Sequence, residues 1–314
     1  MAQSSRTAWW NFSVLKVSLI VPTCNRSTSL QRLLNSIDAL VVPSAVCAEV
    51  LVVDNGSVDE TPRILAERSN ADRVVAFHSL TETRKGKANA LNAGIAAAKG
   101  NLFLIVDDDV VLDSQLLVRH LEAYRENGFD ALQGRILPGV DPGGNHAEKT
   151  RLSEYNIPYV DRGEEICEIR GLTGTNMSFK REVIRKIGGF DSRLGPGAAG
   201  FSEDTEFSMR IRRAGFKIGY TPHAIVYHEL NPERYGRQYN RDVEYRKGLS
   251  RSIYRNDSIL FRVIPDLVAN CMRYCLYRLT WKTQKAYKTE GRIMKCWGYL
   301  MGKIQHRPKS NLKV

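Results

Sequence analysis

The chain has 314 residues, of which 43% are hydrophobic and 25% are charged, enough for one large globular domain with an appended segment. This composition excludes a disordered chain and a collagen-like fibre. The net charge is +12, but residues 1–228 hold 27 Lys and Arg against 27 Asp and Glu, whereas residues 229–314 hold 19 against 7. The positive charge that would suggest a nucleic-acid or membrane partner therefore belongs to the C-terminal quarter.

The cysteines and the apolar runs indicate where in the cell the protein lies. Six cysteines without a C-x-x-C pair favour a reducing environment over a zinc site or a disulfide framework. The apolar run Val17–Val21 is too short for a signal peptide, and no uncharged apolar run reaches 18 residues. We therefore expect a cytoplasmic protein, with a peripheral position on the inner face of the plasma membrane as a second expectation.

The first half of the chain alternates strand and helix patterns, which is typical of a mostly parallel α/β sheet. Helical spacing of apolar residues predicts helices over 30–37 and 88–98, and Ser57 with Glu60 predicts a capping box before another helix. β-rich runs predict four strands, at Val17–Val21, Glu49–Val53, Val74–Phe77 and Leu102–Val106.

The second half is less regular. A glycine-rich loop, Gly195–Gly200, precedes a helix predicted over Glu203–Ala214, and the chain after His228 is basic, rich in tyrosine and helical in pattern. Such a loop suits a mobile lid over a substrate. Four further strands are predicted, at Ala131–Leu137, Leu172–Phe179, Lys217–Tyr220 and Ile225–Tyr227.

Three consecutive aspartates, Asp107, Asp108 and Asp109, directly follow the apolar strand LFLIV. Ligands of open α/β sheets bind at the carboxyl ends of strands, and adjacent carboxylates repel one another unless a cation lies among them. Alternation along the chain points Asp107 and Asp109 to one side and Asp108 to the other. The cluster therefore predicts a site for Mg²⁺ or Mn²⁺, and the alternative is a solvated acidic turn.

Four other motifs each allow a structural and a functional interpretation. Asp54, with Asn55, either recognises a nucleotide base or closes a turn. Lys85-Gly86-Lys87 either forms a phosphate site at a helix N-terminus or an exposed basic loop. Glu203-Asp204 either caps a helix or supplies a general base. His228 either is a structural histidine or completes a metal shell.

The ordered series VSLIVPTCNR, LVVDNGSVDET, KGKANALNAGI, LFLIVDDDVVLD, GTNMSFKREVIRKIGGFD, SEDTEFSMRIRRAGFKIGYTP and VYH resembles the family-2 glycosyltransferases with the GT-A fold. The resemblance implies a single Rossmann-like α/β domain over 17–228, with a nucleotide-binding half at 17–110 and an acceptor-binding half at 111–228. Residues 1–16 then form an N-terminal extension, and residues 229–314 form a basic helical segment.

The resemblance also assigns roles to individual residues. Asp204, with its neighbour Glu203, matches the catalytic base, and the metal ligands are Asp109, Asp107 and His228. The acceptor side is formed by Gly174, Thr175 and Asn176. The nucleotide-sugar donor contacts Pro22, Thr23, Asn25, Arg26, Asp54, Asn55, Lys87, Asn92, Asp107 and Asp108.

The implied function is inverting transfer of one sugar from a nucleotide-sugar, expected to be a UDP-sugar, to a hydroxyl of a glycan or polyprenyl-linked acceptor. Cell-envelope or exopolysaccharide synthesis is the expected process, with Mn²⁺ or Mg²⁺ as cofactor. The absence of a Q-x-x-R-W segment favours single transfer over processive synthesis. A sugar nucleotidyltransferase and a non-catalytic glycan- or nucleic-acid-binding module are the alternatives, and no nucleic-acid partner is expected.

The C-terminal segment lies outside the resemblance. Arginines alternate with tyrosines from Arg234 to Arg255, and Leu260, Ile264, Leu267 and Cys271 follow at helical spacing. Basic and aromatic residues beside an apolar stripe predict a helix that lies on an anionic membrane surface. The alternative is that these helices pack on the catalytic domain with a solvated basic face.

Overall fold

A computed structural model describes residues 15–69, 75–139, 159–231 and 236–305. The chain packs into two compact units. The first contains residues 1–153, 157–191 and 203–230, and the second contains residues 154–156, 192–202 and 231–314. The expected domain boundary between residues 228 and 229 stays a prediction. Residues 192–202, which precede that boundary, group with the C-terminal helices.

The first unit is built on one nine-stranded sheet with the order β3-β2-β1-β4-β8-β6-β9-β5, and β7 pairs with β9. The expected α/β fold with a mostly parallel sheet is confirmed, because the longest pairings, β1 with β2 and β6 with β9, are parallel. The strands are β1 Leu15–Thr23, β2 Val46–Asp54, β3 Ala76–Thr81, β4 Leu102–Val106, β5 Val110–Leu112, β6 Ala131–Pro138, β7 Cys167–Glu168, β8 Asn176–Lys180 and β9 Ile218–His228.

Helices cover both faces of this sheet, as a parallel sheet requires. β4 is buried along its whole length, which explains its unbroken apolar sequence. Leu30, Leu33, Leu34 and Ile37 of α1 are buried against one cluster of strand residues, and Leu91 and Ile95 of α3 against another. The helices are α1 Ser27–Asp38, α2 Thr61–Ser69, α3 Lys87–Ala97, α4 Leu116–Asn127, α5 Arg181–Ile187 and α6 Glu203–Arg213.

Several element predictions need correction. The capping box is wrong: Ser57 Oγ accepts a hydrogen bond from the Asn25 main chain, and α2 begins at Thr61, whose N–H donates to Asp59 Oδ1. The strand predicted at 74–77 begins at Ala76, and Val74 lies outside the described residues.

Two predicted strands of the second half also differ. The strand predicted from Leu172 begins only at Asn176, because the N–H of Asn176 closes a turn onto the carbonyl of Thr173. The two short strands predicted over 217–227 are one strand, β9, whose register against β6 shifts between Gly134 and Arg135. This local irregularity interrupts the sequence pattern of one long strand, so the pattern looks like that of two short strands.

The second unit contains α7 Arg237–Tyr254, a π-helical turn Ile259–Val263, α8 Ile264–Leu279 and α9 Thr283–Gln305. α7 and α9 pack closely, since a Cβ added at Gly298 would clash with the carbonyl oxygen of Tyr245. The glycine-rich loop is hydrogen-bonded to α7, since Ser250 Oγ donates to the carbonyl of Ala199 and accepts from the N–H of Phe201. No helix in the described ranges is both long enough and apolar enough to cross a membrane.

Candidate active site

The carboxyl ends of β1, β2 and β4 bring the candidate donor-binding residues to one edge of the sheet. Thr23 lies beside Asp54 in the register of β1 and β2, and the three aspartates follow β4. This is the edge at which open α/β sheets bind ligands. Thr23, Asp54 and Asp109 are buried, whereas Arg26 is partly exposed.

The three aspartates have three different sets of partners. Asp107 pairs with Lys87 Nζ and accepts a hydrogen bond from Thr175 Oγ1 at 2.9 Å. Asp108 accepts from Thr23 Oγ1 at 2.8 Å. Asp109 lies 3.3 Å from Arg26 Nη1 and 3.2 Å from His228 Nε2. Burial, followed by the charge of Asp109, raises the pKa of Asp108 to about 7.

His228 and Asp109 form the part of this site that suits a metal ion. His228 Nδ1 lies 2.7 Å from the carbonyl oxygen of Glu229, which only accepts, so Nδ1 carries a hydrogen. In a neutral ring Nε2 then aims a lone pair at Asp109 Oδ1. Two acceptors 3.2 Å apart need a proton or a metal ion between them. Carboxylate and imidazole are both ligands of Mn²⁺, so these residues fit the metal.

The predicted trio of metal ligands, Asp109, Asp107 and His228, does not converge. Among the described residues no group of three His, Cys, Asp or Glu side chains could hold a metal ion. The carboxylate of Asp107 pairs with Lys87 and Thr175, whereas His228 faces Asp109. A metal at this pair would need its remaining ligands from diphosphate oxygens and water.

Lys87 connects the aspartates to the candidate base. Its Nζ contacts Asp107 and lies 3.7 Å from Glu203 Oε1. Burial opposes the charge of Lys87, but the carboxylates of Asp107 and Glu203 outweigh it and raise the pKa of Lys87 above its ordinary value. Gly86, at φ 122°, precedes Lys87, and its N–H donates to Asn55 Oδ1 at 2.7 Å. Glycine adopts this backbone conformation without strain, which helps α3 to begin at Lys87.

Glu203 and Asp204 open α6 and differ in exposure. Glu203 is buried, whereas Asp204 is partly exposed and therefore open to a substrate. The N–H of Thr205 donates to Asp204 Oδ1 at 2.6 Å, and that of Gly174 lies 3.4 Å from Oδ2. Burial raises the pKa of Glu203 to about 7 and raises that of Asp204 as well. A reachable carboxylate with a raised pKa suits a general base near neutral pH.

Asn25 and Asn55 shape the loops around the donor site. The Oδ1 atom of Asn25 accepts from the N–H of Val58, and Asn25 has φ 53°, a conformation that asparagine tolerates. The Nδ2 of Asn55 donates to the carbonyls of Glu82 and Arg84. Asp54 Oδ1 accepts from the N–H of Ser57 at 3.0 Å. The turn interpretation of Asp54 therefore holds, and base recognition by the same carboxylate stays a prediction.

Two predicted site residues lie outside the group around Lys87. Asn92 holds Phe190, because its Nδ2 donates to the carbonyl of Phe190 and its Oδ1 accepts from the N–H of the same residue. Asn176 is buried, and its Nδ2 donates to the carbonyls of Arg135 and Ala224. Gly174 and Thr175, by contrast, contact Asp204 and Asp107 directly.

A series of buried hydrogen bonds, which was not predicted from the sequence, holds the side chain of Asn176. His120 Nε2 lies 3.0 Å from Asn176 Oδ1, and His120 Nδ1 lies 3.0 Å from Ser178 Oγ, which in turn meets Tyr124 Oη. Because both amide hydrogens of Asn176 are used, Nε2 of the histidine donates and Nδ1 accepts. Burial lowers the pKa of His120 to about 4 and keeps the ring neutral. The only sequence signal was a histidine on the apolar face of α4.

Comparisons with known proteins identify the family of the chain. The model of the family described as "Glycosyl transferase family 2" matches residues 18–188. Poly-beta-1,6-N-acetyl-D-glucosamine synthase of Staphylococcus epidermidis is 27% identical over 237 residues, 74% of this chain and 54% of that protein. Glycosyltransferase AglE of Haloferax volcanii is 26% identical over 69% of this chain and 67% of its own length. The chain spans 54% to 63% of the first curated relatives it matches.

Solved structures show the same fold. The mannosyltransferase PcManGT from Pyrobaculum calidifontis, in complex with GDP-Man and Mn²⁺, has a TM-score of 0.56 at 17% identity and covers 96% of this chain and 81% of its own. Residues 1–349 of S. aureus TarS in complex with UDP-GlcNAc give 0.55 at 16% identity, over 90% and 91%. The resemblance to the glycosyltransferases is therefore confirmed. The family match extends over more than half of the chain, which belongs to glycosyl transferase family 2.

Proposed function

We propose that this glycosyltransferase moves one sugar, with inversion, from a UDP-sugar to a hydroxyl of a glycan or polyprenyl-linked acceptor in cell-envelope or exopolysaccharide synthesis. The observation that carries the proposal is the position of Lys87. Its ammonium joins an aspartate at the carboxyl end of β4 to the Glu203-Asp204 pair at the start of α6. A cation between a donor-side carboxylate and a candidate base fits a reaction in which a diphosphate leaves as a hydroxyl attacks.

The donor is expected to lie along the ends of β1, β2 and β4. The uridine base meets Asp54, and Pro22, Thr23 and Arg26 follow the nucleotide. Arg26, partly exposed beside Asp109, supplies positive charge for the diphosphate. The TarS structure, which contains UDP-GlcNAc, supports a UDP-sugar, whereas the structure of PcManGT, a protein of similar fold, contains GDP-Man. A donor screen has to include both.

Asp109 and His228 would hold the metal, Mn²⁺ or Mg²⁺. When bound, the ion supplies positive charge against the negative charge that develops on the leaving diphosphate. The hydrogen bond from His228 Nδ1 to the Glu229 carbonyl presents Nε2 as the ligand atom. Asp107 is held by Lys87 and Thr175 and is therefore assigned to the donor rather than to the metal.

Asp204 is proposed to remove the proton from the acceptor hydroxyl. That oxygen forms a bond to the anomeric carbon as the bond from this carbon to the diphosphate oxygen breaks, and the nucleoside diphosphate leaves with the electron pair. Attack from the face opposite the leaving group inverts the anomeric configuration. Lys87 and Arg26 supply positive charge near the expected position of the donor.

The number of sugars transferred depends on a further segment. Residues 238–242 read Q-Y-N-R-D, so Gln238 and Arg241 match two positions of the Q-x-x-R-W pattern, and Asp242 occupies the place of the tryptophan. The segment therefore differs from the pattern at one position, residue 242. The replacement supports single transfer, although a polysaccharide synthase is among the relatives. Mass spectrometry of the products tests the point: one added sugar is expected, and a ladder would contradict it.

The polyprenyl-linked acceptor places the enzyme at a membrane surface. The basic C-terminal segment, with 19 Lys and Arg against 7 Asp and Glu over residues 229–314, supports an anionic membrane as a partner.

The deciding experiment screens nucleotide-sugars with Mn²⁺ or Mg²⁺ and measures nucleoside diphosphate release. Asp204→Asn should abolish transfer while donor binding, measured by calorimetry, persists. Glu126→Gln, which alters an exposed carboxylate of α4, is the matched control and should transfer at the parental rate. Transfer by Asp204→Asn at the parental rate would refute the assignment of the base. Pyrophosphate release from a sugar phosphate and a nucleoside triphosphate would instead support the nucleotidyltransferase alternative.

A further inference from the structure

The C-terminal unit contains a cavity of about 290 Å³ among α7, the π-helical turn, α8 and α9. Positive side chains dominate its lining, and Asp257 and Asp266 are the acidic ones. The basic residues that line the cavity are Arg251, Arg262, Arg273, Arg292 and Lys295.

These charges are not balanced within the described part of the chain. Asp257 is shared by two arginines, Arg251 at 2.7 Å and Arg262 at 3.0 Å. Arg273 and Arg292 have no carboxylate partner there, and Lys295 reaches Glu244 only at 4.0 Å. Burial, with the nearby Lys247 and Arg251, lowers the pKa of Lys295. A cavity with surplus cations is complementary to an anion such as a phosphate.

A second, independent observation is the buried side chain of Asn270, which also lines the cavity. It is 7% exposed, its Nδ2 donates to the carbonyl of Asp266, and its Oδ1 has no hydrogen-bond partner. A buried acceptor without a donor is costly, so a ligand or water should supply a hydrogen here. A phosphate that carries a hydroxylated group, such as glycerol, offers both the negative charge and that hydrogen.

The helix that supplies Arg273 and Asn270 also exposes an apolar row. Ile264, Val268, Met272 and Leu276 recur every fourth residue, so they share one face of α8, and they are 40% to 66% exposed. Two aromatic side chains flank the row, Phe261 in the π-helical turn at 88% exposure and Trp281 after the helix at 87%. Apolar and aromatic side chains next to arginines are the composition of a helix that lies in a membrane interface.

We propose that the C-terminal unit binds an anionic phospholipid membrane, with a headgroup phosphate in the cavity and the α8 row, Ile264 to Leu276, among the acyl chains. The occupant follows from charge complementarity: residues 236–305 hold 15 Lys and Arg against 5 Asp and Glu. This proposal rests on the membrane partner of the proposed function and assigns the residues of the C-terminal unit that contact it. It does not depend on which sugar is transferred or on how the transfer occurs.

The test is co-sedimentation with vesicles of phosphatidylcholine, with and without phosphatidylglycerol. The parent should bind only the anionic vesicles. Arg273→Gln with Arg292→Gln should weaken binding about 30-fold, given about fivefold for each arginine near an anionic surface. Val268→Ser with Met272→Ser should weaken it at least about tenfold. The matched control, Arg125→Gln with Arg213→Gln, removes two exposed charges of the first unit and should leave binding within about threefold.

Each contrary outcome is distinct. Equal vesicle binding by all variants would overturn the site. Binding of inorganic phosphate or glycerol phosphate without vesicle binding would assign the cavity to a soluble anion. If the Val268 and Met272 substitutions turned a dimer into a monomer in analytical ultracentrifugation, and vesicles did not bind, the row would belong to a second copy. Nucleoside diphosphate release with a water-soluble acceptor should be unchanged in these variants. Failure of the parent to release nucleoside diphosphate in this assay would count against the proposed function and not against the membrane site.

Discussion

Acidification should destabilise the sheet of the first unit because it favours protonation of His120. This histidine is not one of the candidate site residues. The ring is fully buried between Asn176 and Ser178, and its pKa falls from 6.5 to about 4 in the folded chain. The folded state therefore binds fewer protons than the unfolded state between about pH 6.5 and 4. Stability from this group is present above the unfolded pKa and is lost as the pH falls through this window.

The expected loss is large enough to measure. One pKa unit corresponds to about 1.4 kcal/mol, so full protonation of His120 costs about 3 kcal/mol and protonation at about pH 5 costs about 2 kcal/mol. Domains are stable by only about 5–15 kcal/mol. His120→Gln keeps a donor for Asn176 and an acceptor for Ser178 but does not titrate, so it should remove this part of the pH dependence.

The assay is native-state hydrogen exchange of the amides of β8, compared between about pH 7.5 and pH 5 after correction for intrinsic exchange rates. The parent should lose about 2 kcal/mol more opening free energy than His120→Gln over this range. His78→Gln, at a largely exposed histidine, is the control and should follow the parent. Carboxylates with raised pKa titrate in all three proteins and cancel in the comparison. Equal losses in the parent and His120→Gln would refute the reasoning.

Three other changes have distinct expected results. Lys87→Met leaves the nearby carboxylates without their cation, so kcat/KM should fall at least about 100-fold in a transfer assay, and the pKa of Glu203 should rise further. Transfer should increase as the pH rises, because burial raises the pKa of Asp204 and the proposed base accepts a proton only when it is deprotonated; a flat pH–rate profile would contradict this assignment. Asn92→Ala removes two hydrogen bonds to the main chain of Phe190, so urea unfolding should show a loss of about 1–3 kcal/mol while the donor KM stays unchanged.

Much of the first half of the fold could be predicted because its signals are local. The strand Leu102–Val106 was predicted with its observed bounds, since a strand buried on both faces is apolar throughout and the aspartates end it abruptly. The predicted position of the site at the ends of β1, β2 and β4 follows from sheet topology alone. The second half was harder, because β9 carries a register shift that interrupts its pattern.

Individual contacts in the site could not be predicted, because they depend on which side chain is nearer in space. Asp107 and Asp109 were both predicted as metal ligands. In the structure Lys87 pairs with Asp107, and His228 faces Asp109. Asn92 stands in a motif that resembles a donor-binding segment, and its amide instead holds Phe190, 98 residues further along the chain. Periodicity contains no information on such long-range pairing.

If the proposed roles hold, the contacts of Lys87 predict a link between donor binding and the strength of the candidate base. Lys87 faces Asp107 on the donor side and Glu203 beside the candidate base, and all of these charges lie in a largely buried region. Any group that draws the ammonium towards the donor also removes a positive charge from Glu203 and Asp204, which raises their tendency to hold a proton. A bound diphosphate would therefore make the pair a stronger base at the moment when the acceptor has to be deprotonated. The three aspartates alone would position a donor, but they would not couple it to proton transfer in this way.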